Sequence, residues 1–286
     1  MNSRWVVNLL LLLGIVALGL IVRFEPGIEP PNEAQASTSL KVDDIHRIHI
    51  NRPVRDDLVL ERQSKGHWLI QRAAPLPAED FKVRALARLG EQKPVRSYAA
   101  KDMDLAELQL DPPYATIVLN ATAVEFGNLD PIGGLRYVRV GDRVHLIPDN
   151  YLPLMEASFT QFVRHRLFEE GAKIESIRLP DFSMNRTDDG NWKLDPQKQL
   201  TAGVLAQFAD IWRDASAIQI QVANPEDSGA PVSIRLQGSD EPVVFQIIKR
   251  QPDLVLVRPD YGIQYLMGNR AEAMLTLDAA AADVKD

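Results

Sequence analysis

Cysteine is absent from all 286 residues. That excludes a disulfide framework, a thiolate nucleophile and any cysteine-ligated zinc or iron–sulfur centre. A phosphate-cradling glycine loop is missing too: Ile132-Gly133-Gly134 lies between two strand-like runs and reads as a hairpin turn. No Gly-x-Ser-x-Gly elbow occurs. Basic charge is scarce, with 32 Lys and Arg against 39 Asp and Glu and a formal net charge of −7. Residues 1–23 hold Arg4 and Arg23 and no acid, so the remainder is more acidic still. A nucleic-acid surface needs the opposite balance. So does docking on anionic lipid through a basic patch.

What is present is a folded-protein composition, 45% hydrophobic and 25% charged, on a chain long enough for two domains. Trp5 to Val22 reads WVVNLLLLLGIVALGLIV, with Asn8 its one strongly polar residue. Such a run is long enough for a bilayer-spanning helix, which needs about 17–25 residues. Arg4 and Trp5 at one edge and Arg23-Phe24 at the other suit the interfaces. The residues after the run, Arg23-Phe24-Glu25-Pro26, fit a signal-peptidase site poorly, and Ala34-Gln35-Ala36 lies far downstream, so an uncleaved signal anchor is expected. Arg4 precedes the run and Glu25, Glu29 and Glu33 follow it, which puts residues 1–4 in the cytoplasm and the body across the membrane. Residues 24–40 are a Pro/Glu/Ser linker.

The body is written twice. Ile45-x-x-Ile48-x-Ile50 is echoed by Ile174-x-x-Ile177-x-Leu179, and Gly66-His67-Trp68 by Gly190-Asn191-Trp192. Each Gly-x-Trp reads as a β-turn feeding a strand whose tryptophan anchors a core. A helix follows in each copy. Ala78–Glu91 carries Phe81, Ala85 and Leu89 on one stripe with Val83 and Leu86 beside it, and Thr201–Asp214 carries Val204, Phe208, Ile211 and Trp212, with Thr201 as N-cap. Strand pairs then match: Thr116–Leu119 with Ser233–Leu236, Val124–Phe126 with Val243–Phe245, Tyr137–Arg139 with Leu256–Arg258, and Val144–Ile147 with Ile263–Leu266. Met155, Phe159, Phe162, Val163 and Leu167 recur at helical spacing and predict an amphipathic joining helix. The predicted fold is α+β: an N-terminal transmembrane helix, then two tandem repeats, each a mostly antiparallel β-sheet with one covering helix. The divisions are 1–4 leader, 5–23 anchor, 24–40 linker, 41–150 repeat one, 151–171 joining helix, 172–270 repeat two and 271–286 an Ala-rich tail.

Chemistry is hard to find in this pattern. His46 and His49, three apart on a strand, point to opposite faces and cannot share a metal. His67 is expected in solvent opposite Trp68, His145 on an outward strand position, and His165 on the polar side of the joining helix. Asp43-Asp44 and Asp188-Asp189 suit strand or turn edges. Arg139 and Arg258 occupy matching positions, either as paired anion contacts or as solvated or salt-bridged strand residues. Asn120-Ala-Thr122 and Asn185-Arg-Thr187 fit the glycosylation pattern. The reading therefore nominates no catalytic, cofactor-binding or metal-ligating residue and no cofactor.

The order of these motifs, with Leu108-Gln109-Leu110-Asp111-Pro112-Pro113 leading into Thr116–Leu119, Glu125-Phe126-Gly127 and Tyr137-Val138-Arg139, resembles the bacterial family known as domain of unknown function 4340. The resemblance implies a membrane-attached bacterial protein, sometimes encoded beside transporter components of the gliding type, with no established activity. The family usually has glycine where Gln109 stands, so this chain departs from the pattern at a position where the family's glycine would allow a close backbone approach. The leading expectation is a non-enzymatic, periplasmic accessory or scaffold protein with a membrane-protein partner, such as an ABC-type transport complex. Alternatives are an envelope module binding a glycan, peptide or lipid between the repeats, using Tyr114, Tyr137 and Tyr261, and an envelope hydrolase with carboxylate catalysis.

Overall fold

The structure, a computed structural model, describes residues 12–16, 36–53, 55–64 and 66–278. Most of the expected anchor (5–23), the leader and most of the linker lie outside those residues. Residues 12–16 are helical. No helix among the described residues is long and apolar enough to cross a membrane.

The fold is α+β, with two antiparallel sheets and few helices. The first sheet contains β1 (Arg47–Asn51), β2 (Leu58–Arg62), β3 (Trp68–Ile70), β4 (Leu76–Pro77), β5 (Arg96–Ala99), β6 (Ala115–Leu119), β7 (Thr122–Leu129), β8 (Leu135–Val140) and β9 (Arg143–Pro148), in the order β4-β3-β2-β1-β6-β7-β8-β9-β5. The second contains β10 (Ile174–Arg178), β11 (Ser183–Arg186), β12 (Trp192–Asp195), β13 (Gln219–Val222), β14 (Ala230–Leu236), β15 (Val243–Lys249), β16 (Val255–Arg258) and β17 (Ile263–Leu266), in the order β12-β11-β10-β14-β15-β16-β17-β13. Apart from β4, the two orders are the same. Helix α1 (Asp80–Ala87) follows the first hairpin of one sheet, and α3 (Ala202–Arg213) that of the other. Short helices α2 (Leu152–Glu156) and α4 (Ala271–Leu275) follow the last hairpins.

The Gly-x-Trp turns match bond for bond. Gly66 donates to the Gln63 carbonyl and Gly190 to that of Thr187, both at 2.8 Å. Both glycines have positive φ, 88° and 84°, a conformation that other residues adopt at a cost. Beyond the turn, Trp68 stands opposite Arg62, and Trp192 opposite Arg186.

Carrying the strand register outward corrects the residue-level matching of the later strands. Ile48 pairs with Leu119, and its counterpart Ile177 pairs with Ile234, so Ile234 corresponds to Leu119, not Ile117. Following the ladder, Val138 corresponds to Leu256. Arg139 and Arg258 therefore do not occupy matching positions. The sequence spacing was misleading because the connection after β14 is longer than the tight turn after β6.

Two helix expectations are also corrected. Phe81 is 65% exposed, whereas Leu89 and the neighbouring Val83 and Leu86 are buried as expected, with Ala87 beside them. The Asp80 carboxylate accepts the Trp68 backbone N–H at 3.1 Å, which fixes the helix start against the hairpin and sets this rotation. Thr201 does sit at the N-cap of α3, without a side-chain capping bond. The expected joining helix is broken. After α2 the chain turns extended at Ala157, forms one 3-10 turn (Phe159–Phe162), and runs extended again. Its backbone is used for sheet pairing. Arg164 donates to Pro77 at 2.9 Å beside β4, Leu167 to Ala215 at 3.0 Å, and Ala217 to His165 at 2.9 Å beside β13. β4 and β13 are edge strands, so this segment joins the sheets along their edges. Met155, Phe162, Val163 and Leu167 are buried as predicted, but by this threading and not by one helical stripe.

Candidate functional site

A wide groove lies on the first sheet and is built by the connection from β5 to β6. Asp104 starts a turn there, its carboxylate accepting the N–H groups of Ala106 and Glu107, each at 3.1 Å. Gln109 then takes φ +52°, the left-handed region that glycine favours. That accounts for the glycine the family resemblance implied. The loop is clamped to β7: the Asn128 N–H donates to the Leu108 carbonyl at 2.8 Å, and its side-chain amide to Glu107 at 3.2 Å. Gly127 permits the approach, since a Cβ there would stand 2.3 Å from the Leu108 oxygen.

The resulting groove encloses about 710 Å³ and is lined by Glu107, Gln109, Tyr114, Asn128, Arg136, Tyr137 and apolar neighbours. Arg136 is buried and held on three sides. It grips Asp149 through Nε at 2.6 Å and Nη2 at 3.0 Å, and donates to the Gly127 carbonyl at 2.6 Å. The Tyr114 hydroxyl donates to Glu156, and that bond, with burial behind it, raises its pKa. Burial, with Asp130 behind it, raises that of Tyr137. Both phenols are therefore neutral at pH 7. The groove offers two aromatic rings, amide groups and one carboxylate, a set suited to a polar ligand with an apolar face.

Tyr114 and Tyr137 thus meet, but within one repeat. Tyr261 lies on the second, its ring under Arg258 at 3.7 Å. The histidines stay dispersed. His46 is exposed, His49 contacts Asp57 at 2.8 Å, His67 contacts Asp80 at 3.3 Å, and His165 bonds the Ala217 carbonyl at 3.0 Å. His145 is a correction. It is buried, not outward, and bonds the Ser97 hydroxyl at 2.7 Å. Its row in the sheet runs through Val138 and Phe126, on the core face. Val144 and Leu146, which alternate with it, are buried on the other face, so strand alternation could not tell inside from outside. Burial, then Arg143, lowers the His145 pKa.

Asp43 and Asp44 lie in a 3-10 turn, Val42–Asp44, with Asp43 3.9 Å from Arg84. Asp189 bonds Asn191 at 3.0 Å within its turn; hydrogen bonds from Thr187 and Asn191 lower its pKa. Arg139 pairs with Glu125 across the strands, and Arg258 with Asp260 at 3.2 Å. Asn120 is a backbone staple. Its side chain accepts from His46 and Arg47 and donates to Asp44, at 3.0, 3.2 and 3.0 Å. Asn185 is exposed on β11. Among the described residues no group of three or more His, Asp or Glu side chains could hold a metal ion. Sequence reasoning missed Arg136–Asp149, because an arginine inside an alternating strand carries no sign of burial.

Trp192 is a further correction. Trp68 is 3% exposed and belongs to the core, whereas Trp192 is only half-buried and packs at its margin.

No curated protein and no solved structure matches the chain. A family profile, Domain of unknown function (DUF4340), matches residues 68–227, more than half of the chain. The match begins at the Trp68 strand and takes in the Gln109 loop, the clamp at Gly127, the groove tyrosines and the threaded joining segment. The chain belongs to that family.

Proposed function

We propose that the protein is a membrane-tethered, periplasmic, non-enzymatic accessory or scaffold protein that works beside an inner-membrane complex of the ABC-transport type. The observation carrying this reading is the helical stretch 12–16. Its Leu12, Leu13, Ile15 and Val16 are 52–67% exposed, so the described body does not cover them. Adjacent exposed apolar side chains at helical spacing call for another apolar environment, and bilayer hydrocarbon supplies one. The two sheets, joined along their edges by residues 163–167, offer β surface for contact with partners.

Crosslinking in intact cells followed by purification from solubilised membranes should recover stoichiometric membrane partners, and a C-terminal alkaline phosphatase fusion should be active. Recovery of the protein alone from the soluble fraction, or an inactive fusion, overturns the reading. The groove at Tyr114 and Tyr137 favours a second one, an envelope ligand-binding module holding a glycan, peptide or lipid. Titration with soluble envelope glycan fragments should then shift the thermal midpoint of the parent and not of Tyr137→Ala.

A further inference from the structure

The walls of the groove on the first sheet narrow the class of ligand it can hold. Among the described residues Arg136 is the one cation of the wall, and it is 6% exposed. Its Nε and Nη2 are bonded to Asp149 and its Nη1 to the Gly127 carbonyl. An anionic group, whether a lipid phosphate or a peptide carboxylate, therefore finds no free positive charge there and faces the Glu107 carboxylate. The backbone donors are engaged as well. The N–H groups of Glu107, Leu108, Gln109, Tyr114 and Asn128 all donate within the fold. An extended peptide is held chiefly by main-chain hydrogen bonds, and these donors have none to give.

What stays open is a set of side-chain groups. The Glu107 carboxylate, the Gln109 carboxamide, the Tyr137 hydroxyl and the Asn128 Oδ1 find no hydrogen-bond partner among the described residues. They share the groove with the rings of Tyr114, 38% exposed, and the half-buried Tyr137. Carboxylate and amide groups accept from, and amides donate to, a ligand's hydroxyls, while a neutral phenol ring offers an apolar face. A pyranose ring with equatorial hydroxyls has the complementary pattern, a face of C–H groups and a rim of O–H groups. At about 710 Å³ the groove falls in the range of small-molecule sites, about 300–1,000 Å³. Gln109 gives an independent sign. Its φ of +52° is costly for a residue with a side chain, and such strain in a groove wall points to a side chain with work to do.

We propose that the groove binds an uncharged oligosaccharide of β-linked, equatorially substituted pyranose units. A sugar ring lies on the tyrosine pair, and its hydroxyls meet Glu107, Gln109 and Asn128. This rests on the ligand-binding reading of the groove and narrows its three ligand classes to one.

The test is isothermal titration calorimetry of the full-length protein, in a detergent without a sugar headgroup. The probes are cellotetraose, chitotetraose, a capped tetra-alanine peptide, and dihexanoyl phosphatidylglycerol below its micelle concentration. At least one of the two sugars should saturate the protein below about 10 mM. Added salt should leave that affinity unchanged, because the ligand carries no charge. Gln109→Gly should weaken sugar binding by roughly three- to tenfold, the span of one lost hydrogen bond. It should also keep or raise the parent melting midpoint, because glycine accepts the positive φ. Saturation by neither sugar at about 10 mM, or sugar binding that both Gln109→Gly and Tyr137→Ala leave unchanged, overturns the proposal. If only the peptide or the lipid binds, and Tyr137→Ala abolishes it, the sugar assignment falls while the ligand-module reading stands. If none of the probes binds, both fall.

Discussion

The two repeats share a strand order, a turn and an Arg–Trp pair, yet they stabilise equivalent places by different chemistry. Where the first sheet buries Arg136 against Asp149, the register puts Leu254, fully buried, in the second. Where the first sets Ser97 beside His145, the second sets Ile220 beside Tyr265, whose burial raises its pKa to about 12. The first connection from β5 to β6 is long, folds back over the sheet and makes a groove. The second, residues 223–229, is short. One framework thus tolerates either a satisfied polar core or an apolar one. The first repeat holds buried polar pairs, the second has Leu254 and Tyr265 in their places, and a small cavity lies beside Trp192 at its margin.

The largest expected break in this comparison is at the paired tryptophans. Trp68→Ala should destabilise the protein by about 3–5 kcal/mol, as large-to-small changes of buried aromatics do. Trp192→Ala should cost about 1 kcal/mol, because its ring is already half in water. Urea midpoints of the two variants measure the gap, and equal losses would return Trp192 to the core.

Asp149→Ala comes next. It strands the Arg136 guanidinium in a buried place and should cost about 3–5 kcal/mol. Adding Arg136→Leu, which copies Leu254, should recover most of that loss; if the double variant is no better than the single one, Leu254 is not a true counterpart. The exposed pair sharpens the contrast: Asp260→Ala, at the acid facing Arg258, should change stability by no more than about 1 kcal/mol.

The smallest effect concerns pH. Burial holds the His145 pKa below its ordinary 6.5. As pH falls, the unfolded chain therefore takes up this proton before the folded one. Stability should decline as pH drops through about 6.5, and rise again with pH. In His145→Gln that contribution is removed, so its urea midpoint should fall less between pH 7.5 and 5.5 (about the span of an ordinary His titration). Parallel pH profiles would show that His145 is protonated without penalty.

Much of the frame was legible because local chemistry fixed it. Gly66 and Gly190 needed positive φ, and hydrophobic alternation placed strands such as Ala115–Leu119. The helix stripes were only half legible. Val204, Phe208 and Trp212 face inward as spaced, but Phe81 does not, because a tertiary bond from Asp80 sets the start of its helix. The joining segment misled for a related reason. Phe162, Val163 and Leu167 continue a helical spacing from Met155, yet two sheet edges take up the backbone of residues 162–167. The groove left two traces in the sequence: the tyrosines Tyr114 and Tyr137, and the Gln109 position, where the family usually has glycine and the backbone is left-handed.

By itself the sequence determined that one α+β unit is repeated, that its turns and strands alternate as they do, and that nothing in it depends on cysteine. Those features follow from residue-level preferences and periodicities. Only the tertiary structure decided which side of β9 is buried, that Arg136 lies inside and Trp192 at the margin, and how the two sheets join. Burial and pairing depend on what packs across a face or along an edge, and those neighbours come from far along the chain.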